Sequence, residues 1–163
     1  MKRDYDRESA VEYAHKWAFG RNPKYYDFEK IGGDCTNFAS QVIFAGAKIM
    51  NPTPTVGWYY YDINRRSPSW TGVEYLYQFL VNNHGLGPVA ENAPLYMAKA
   101  GDVIQLSFDG KEFKHSPVIV SVGRKPSPEN ILVATHSYDS DNRALNTYIY
   151  EKLRLLHISH VNL

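Results

Sequence analysis

The sequence predicts an α+β fold, with helices first and a mainly antiparallel sheet second. Three observations carry this. Apolar residues recur at helical spacing early in the chain, as in Ala10, Val11, Ala14, Trp17 and Ala18. From residue 101 the spacing changes to the two-residue period of strands, around the hairpin dipeptide Asp109-Gly110. A chain of 163 residues also suits one domain, able to bury about 68–70% of its unfolded surface without disulfides. Residues 1–163 are therefore expected to form a single domain.

The first helix spans about residues 7–19, with Asp4 or Asp6 as N-cap and Gly20 and Asn22-Pro23 as its stop. An irregular stretch with Tyr25, Tyr26 and Phe28 leads to Gly32-Gly33. The second helix reads from Cys35 to about Ala45, with Asp34 as N-cap, Gly46 as stop and Phe38, Ala39, Val42 and Ile43 as its apolar stripe. Residues 51–70 are rich in Pro and aromatics and have no period, so they read as a long ordered loop. Thr71-Gly72-Val73-Glu74 fits a capping box opening a third helix, closed by Asn82-Asn83-His84-Gly85. Residues 51–95 thus form an insertion ahead of the sheet. Five strands follow: Val103–Phe108, Glu112–Val122, Ile131–Tyr138, Leu145–Tyr150 and Leu153–Ile158.

Composition excludes several functions. Lys+Arg 18 against Asp+Glu 17 gives a formal net charge of +1, without the basic excess of an electrostatic nucleic-acid binder. No apolar run approaches the roughly 18–20 residues that cross a bilayer. The start, Met1 to Arg7, is charged with no apolar stretch behind it, so it does not read as a signal peptide. The chain is then either an intracellular protein or a mature domain without its export signal. The single cysteine can form no internal disulfide and no multi-thiolate metal site. It is a small buried residue or a reactive thiol.

Its position alone leaves the first ahead but makes the second chemically possible, and His115 is what shifts the balance. Cys35 falls in the first turn of a helix, where free N–H groups and the helix dipole favour thiolate over thiol and can receive an oxyanion. This placement predicts a lowered thiol pKa. A thiol nucleophile needs a base, and the base needs a group to orient it. His115 stands at the entry to the apolar strand Val118-Ile119-Val120. The next strand returns antiparallel, bringing residues 135–139 opposite, with His136 and Asp139 both in that window. A one-residue slip decides which of them faces the site. Asp34 reads as the helix cap supporting the nucleophile, and Asn37 as a solvent-facing helix residue. Trp58, Tyr60 and Trp70 are candidates to line a substrate groove, or else a layer covering the core. No metal and no cofactor is expected.

Asp34-Cys35-Thr36-Asn37-Phe38-Ala39-Ser40-Gln41, Gly101-Asp102-Val103-Ile104 and His115-Ser116-Pro117-Val118 together resemble the papain-like NlpC/P60 and CHAP superfamily. Within it the match is to the putative amidase domain group, which Ser67-Pro68-Ser69-Trp70-Thr71-Gly72 and His136-Ser137-Tyr138-Asp139 also resemble. The resemblance implies a circularly permuted papain-like core. It implies cysteine-dependent hydrolysis of amide bonds, in peptidoglycan stem peptides or at their attachment to glycan, and hence a bacterial envelope or secreted setting. By matching positions Cys35 is the nucleophile, His115 the base, and His136 or Asp139 the third residue. A monomer acting on peptidoglycan or peptide is expected. The alternatives are a thiol acyltransferase or deamidase with the same dyad, and a silent wall-binding module.

Overall fold

A computed structural model describes residues 1–163. After a two-residue strand β1 (Lys2–Arg3), helix α1 (Arg7–Trp17) begins at Asp6, whose carboxylate accepts the Ser9 N–H at 3.0 Å. Helix α2 (Cys35–Ala47) is buried without interruption from Cys35 through Ile43; a helix covered on every side belongs inside the core. It runs past its expected stop at Gly46 and ends at Lys48, which takes the left-handed conformation (φ 61). Gly46 serves packing instead. A Cβ there would lie 2.4 Å from the Tyr5 ring and 2.7 Å from the Asp6 carbonyl.

The insertion is not an irregular loop. It forms a small ribbon, β2 (Tyr60–Asp62) with β3 (Arg65–Arg66), then helices α3 (Pro68–Thr71) and α4 (Val73–Asn82), then strand β4 (Gly87–Ala93). The expected capping box is absent, since Gly72 occupies the cap of α4 and no side chain caps it.

The remaining strands are β5 (Val103–Ser107), β6 (Val118–Ser121), β7 (Leu132–Thr135), β8 (Ser140–Ala144) and β9 (Lys152–Asn162). The main sheet has seven strands rather than five, in the order β1-β9-β5-β6-β7-β8 with β4 also on β9, and every pairing is antiparallel. The missed strands have physical reasons. Strand β1 has two exposed residues, β4 opens on Gly87-Pro88, and β8 reads Ser-Asp-Asn-Arg-Ala without alternation. The expected strand at Leu145–Tyr150 is a 3₁₀ turn (Leu145–Thr147) and its tail.

Alternation sorts the sheet's two faces. Val103, Val118, Val120, Ala134 and Leu156 join the core packed under the helices, whereas Ile104, Leu106, Ile119, Val133 and Leu155 join a smaller core on the opposite face. No helix is long and apolar enough to cross a membrane.

Candidate active site

Helix α2 enters the site through Gly32 and Gly33, both at positive φ (85° and 96°). At Gly33 the approach is close, because a Cβ would sit 3.2 Å from Ser137 Oγ. The polar residues that follow are almost all committed to the fold. Asp34 Oδ1 accepts from the Phe28 N–H (2.8 Å) and Asn37 Nδ2 (2.9 Å), and Oδ2 accepts from His136 Nδ1 at 2.5 Å. Thr36 donates to Ser116 Oγ at 3.2 Å. Asn37 is buried rather than solvent-facing, donating to the Tyr26 carbonyl and accepting from Trp70 Nε1. Ser40 accepts from Trp58 Nε1 and donates to the Trp70 carbonyl, and Gln41 accepts from the Tyr13 hydroxyl. Cys35 is held only through weaker sulfur contacts, with the Ser116 and Thr36 N–H groups directed at it. Its sulfur has the Thr36 hydroxyl at 3.8 Å.

His115 lies just before β6, on a bridge to Leu106 whose N–H donates to the His115 carbonyl at 3.0 Å. The start of α2 is pinned to this segment through a hydrogen-bonded chain. Thr36 meets Ser116, Ser116 accepts from Gln105 (3.1 Å), and Gln105 accepts from Arg154 (2.9 Å). The His115 ring packs among Phe108 (6.3 Å between ring centres) and Tyr148 (5.5 Å), and its nitrogens have no hydrogen-bond partner. It lines a cavity of about 470 Å³ with Tyr138, Arg143 and Tyr148. The Tyr148 hydroxyl is buried without a partner. Ser137 and Tyr138, at the rim, are consecutive non-glycine residues in the left-handed region (φ 63 and 62), a conformation that concentrates at functional sites.

Electrostatics corrects one expectation. Burial pushes the Cys35 thiol up, aided by the Asp34 charge, and outweighs the Ser116 N–H and the hydroxyl and N–H of Thr36, which favour thiolate. Burial also pushes His115 down to about 4, with the Arg143 charge acting in the same direction. At neutral pH the pair is therefore thiol and neutral imidazole. The helix N-terminus does not overcome desolvation of a residue that is 8% exposed.

Neither candidate third residue touches His115. His136 is held between Asp34 and the Trp17 carbonyl (Nε2 to O 2.8 Å) and packs on Phe38 at 4.2 Å. Asp139 makes a two-pronged pair with Arg21, at 2.9 and 3.2 Å. The reason is parity. Val118 pairs with Ala134 on the helix-covered face, so His136, two residues beyond Ala134, faces α2, whereas His115 packs with Tyr148 on the opposite side. Asp34 does not cap the helix by a side-chain bond; its carboxylate holds His136 instead. Trp58 and Trp70 are fully buried and Tyr60 nearly so, stacked on each other and on Tyr25 and Phe79. They form core, not groove. Tyr148 carried no sequence signal because it lies in a segment that reads as an ordinary strand, and Arg143 none because it lies in the polar, non-alternating stretch before it. His157 is buried on Asp102 (2.8 Å), which also pairs with Arg7 (2.8 Å).

The profile of the family described as "Putative amidase domain" matches residues 4–158, and the chain belongs to that family, whose description indicates hydrolysis of amides. One relative is the "Uncharacterized protein YhbB" of Bacillus subtilis (strain 168), 35% identical over 143 residues, which cover 85% of this chain and 43% of that protein. The chain thus spans less than half the length of that relative. No solved structure matches.

Proposed function

We propose that the protein is a cysteine amidase of the NlpC/P60–CHAP kind, cleaving amide bonds in peptidoglycan stem peptides or at their attachment to glycan. The observation that carries this reading is the placement of Cys35 at the start of α2 beside the His115-Ser116 segment, where its sulfur receives the Ser116 N–H and the Thr36 hydroxyl and N–H, while the other polar side chains from Asp34 to Gln41 are bonded into the fold.

In this reaction His115, at the end of the sheet near the start of α2, comes within hydrogen-bond reach of the Cys35 thiol. Neutral imidazole takes the thiol proton as sulfur attacks the scissile carbonyl. The oxyanion is received by the Cys35 N–H, free of an intrahelical partner at the helix start, and by the Tyr148 hydroxyl, which is buried without a partner. Imidazolium then protonates the leaving nitrogen as the C–N bond breaks, leaving a thioester. Water attacks the thioester, giving its proton to His115 and then to sulfur, and the acid departs. Burial raises the Tyr148 pKa, so the phenol stays a donor throughout.

The test is mass analysis of muropeptides after incubation with purified sacculi. Products of amide scission are expected from the wild type and none from Cys35→Ala. A Cys35→Ala protein that retains full hydrolysis overturns the thiol mechanism.

A further inference from the structure

The cavity beside His115 carries an uncompensated charge. Arg143 is fixed there by two hydrogen bonds to Thr147, from Nε to the hydroxyl (2.7 Å) and from Nη2 to the carbonyl (3.3 Å), and lies 3.7 Å over the Tyr148 ring. Its Nη1 has no partner, and no carboxylate pairs with it. Lys114 lines the same cavity, and no acidic residue does; its amine pairs with the exposed Glu112 at 3.5 Å. Arg7, Arg154 and Arg21 are each held by a carboxylate, from Asp102, Glu74 and Asp139; Arg66 has none either, but it lies over Phe28 away from the His115 cavity. The larger cavity, about 560 Å³, lies on the insertion, shares no lining residue with this one and contains no Lys, Arg, Asp or Glu.

We propose that Arg143, with Lys114, forms a carboxylate subsite beside Cys35 and His115, so that the preferred substrate is a peptide bearing a free carboxylate next to its scissile amide. A guanidinium that is half-buried, pre-oriented and without an ion pair favours an anionic ligand that replaces lost water. One free nitrogen suits an end-on carboxylate, with the lysine as a second, mobile contact. This inference rests on the amidase reading and names the chemistry of its substrate. A bound carboxylate also offsets the Arg143 charge felt by His115, making the imidazole a better proton acceptor only when the right substrate is present.

The experiment has two arms. In the first, N-acetylglycine and N-acetylglycinamide are titrated into the protein while the ring signals of Tyr148 and His115 are followed by NMR. The acid is expected to bind about 10- to 100-fold more tightly than the amide, with Arg143→Gln removing the difference and Arg143→Lys keeping part of it. Melting curves identify any variant that fails to fold, and Arg143→Lys with Lys114→Gln then decides the matter. Inorganic phosphate binding as tightly as N-acetylglycine marks a general anion site and overturns the carboxylate assignment. In the second arm, kcat/KM is measured on stem peptides with the carboxylate free or amidated. Equal cleavage of both by the wild type overturns the subsite while the amidase reading stands. An Arg143→Gln loss of equal size on both overturns it too, since it places the arginine at the oxyanion. No cleavage of either, with Arg143-dependent N-acetylglycine binding intact, overturns the amidase reading and leaves the subsite standing.

Discussion

Two buried histidines face opposite sides of one sheet, and the protein treats them in opposite ways. His136 is 1% exposed and both its ring nitrogens meet acceptors, the Asp34 carboxylate and the Trp17 carbonyl. Around it Arg21 gathers Asp27, Glu29 and Asp139. His115 is 8% exposed, its nitrogens have no partner, and its neighbours include an orphan phenol and an arginine with no carboxylate. Buried polar groups are normally satisfied, and the exceptions call for a reason. One orphan lies in each cluster, Arg21 Nε beside His136 and the Tyr148 hydroxyl beside His115; only the second borders an open cavity, and that is the cluster to which the proposed chemistry is assigned.

That contrast is most sharply broken by exchanging the two roles. His115→Ala is expected to lower kcat/KM roughly 10²- to 10⁴-fold, the range for loss of a general base. Because no hydrogen bond is lost, its melting temperature should move far less than that of a His136 variant. Steady-state kinetics and calorimetry on one preparation check both. An active His115→Ala enzyme removes the base from the mechanism.

His136→Ala is the mirror experiment. It leaves the Asp34 carboxylate buried without its histidine, and breaking a buried pair in this way costs about 3–5 kcal/mol. For a chain of this size that corresponds to a fall of roughly 10 °C in melting temperature. Thermal unfolding measures it directly. A fall under about 2 °C would show that Arg21 alone suffices to hold Asp34, and that the histidine is free for another role.

Acid separates the two clusters by a different route. The folded state holds His115 near 4, against 6.5 in the ordinary range. Between those values the unfolded chain binds the proton and the folded chain does not. The stability that depends on a neutral His115 is therefore complete above about pH 6.5 and is lost as pH falls toward 4, by up to about 3 kcal/mol. Denaturant melts at pH 7.5 and 4.5 should show this slope in the wild type and lose about that much of it in His115→Gln. The same pair sets alkylation of Cys35. With the thiol pushed up by burial, iodoacetamide labelling should rise with pH only above about 9, and a midpoint well below 8 would reveal a thiolate–imidazolium pair instead.

Much of this arrangement was legible in the sequence, and the misses have physical causes. A cysteine after Gly-Gly-Asp at the head of an apolar helix and a histidine before Pro117 and Val118-Ile119-Val120 are local patterns, so their places could be read. The partners of His115 depended on parity across the β6–β7 pair, whose register shifts between Ile119 and Ser121, and on a left-handed pair at Ser137 and Tyr138. No periodicity encodes either. Tyr148 was hidden because Leu145–Tyr150 reads as a strand, yet Ile131 draws Leu145 into a turn through a backbone bond of 2.9 Å; Arg143 was hidden because β8, Ser-Asp-Asn-Arg-Ala, has no alternation. The tryptophans were ambiguous by composition, since a buried indole and a sugar-stacking indole look alike until Ser40 and Asn37 are seen to hold the Nε1 groups of Trp58 and Trp70.

Tyr148→Phe refines the contrast with the least perturbation, since it removes one oxygen and keeps the ring against His115 and Arg143. If the hydroxyl serves only packing, deleting it relieves a buried donor of its unmet desolvation cost, about 1–3 kcal/mol, and the enzyme gains stability at no cost in rate. If it serves the oxyanion, the same gain comes with a loss in kcat of about 10²-fold, typical of one missing donor, and little change in KM. The expected outcome is the second: a melting temperature unchanged or slightly raised, and a slower enzyme on free and amidated substrates alike. A variant both more stable and equally fast would place the orphan hydroxyl among the fold's imperfections. The donor would then have to be another N–H at the start of α2, where Thr36 and Asn37 already bind with their side chains but leave their backbone groups at the helix end.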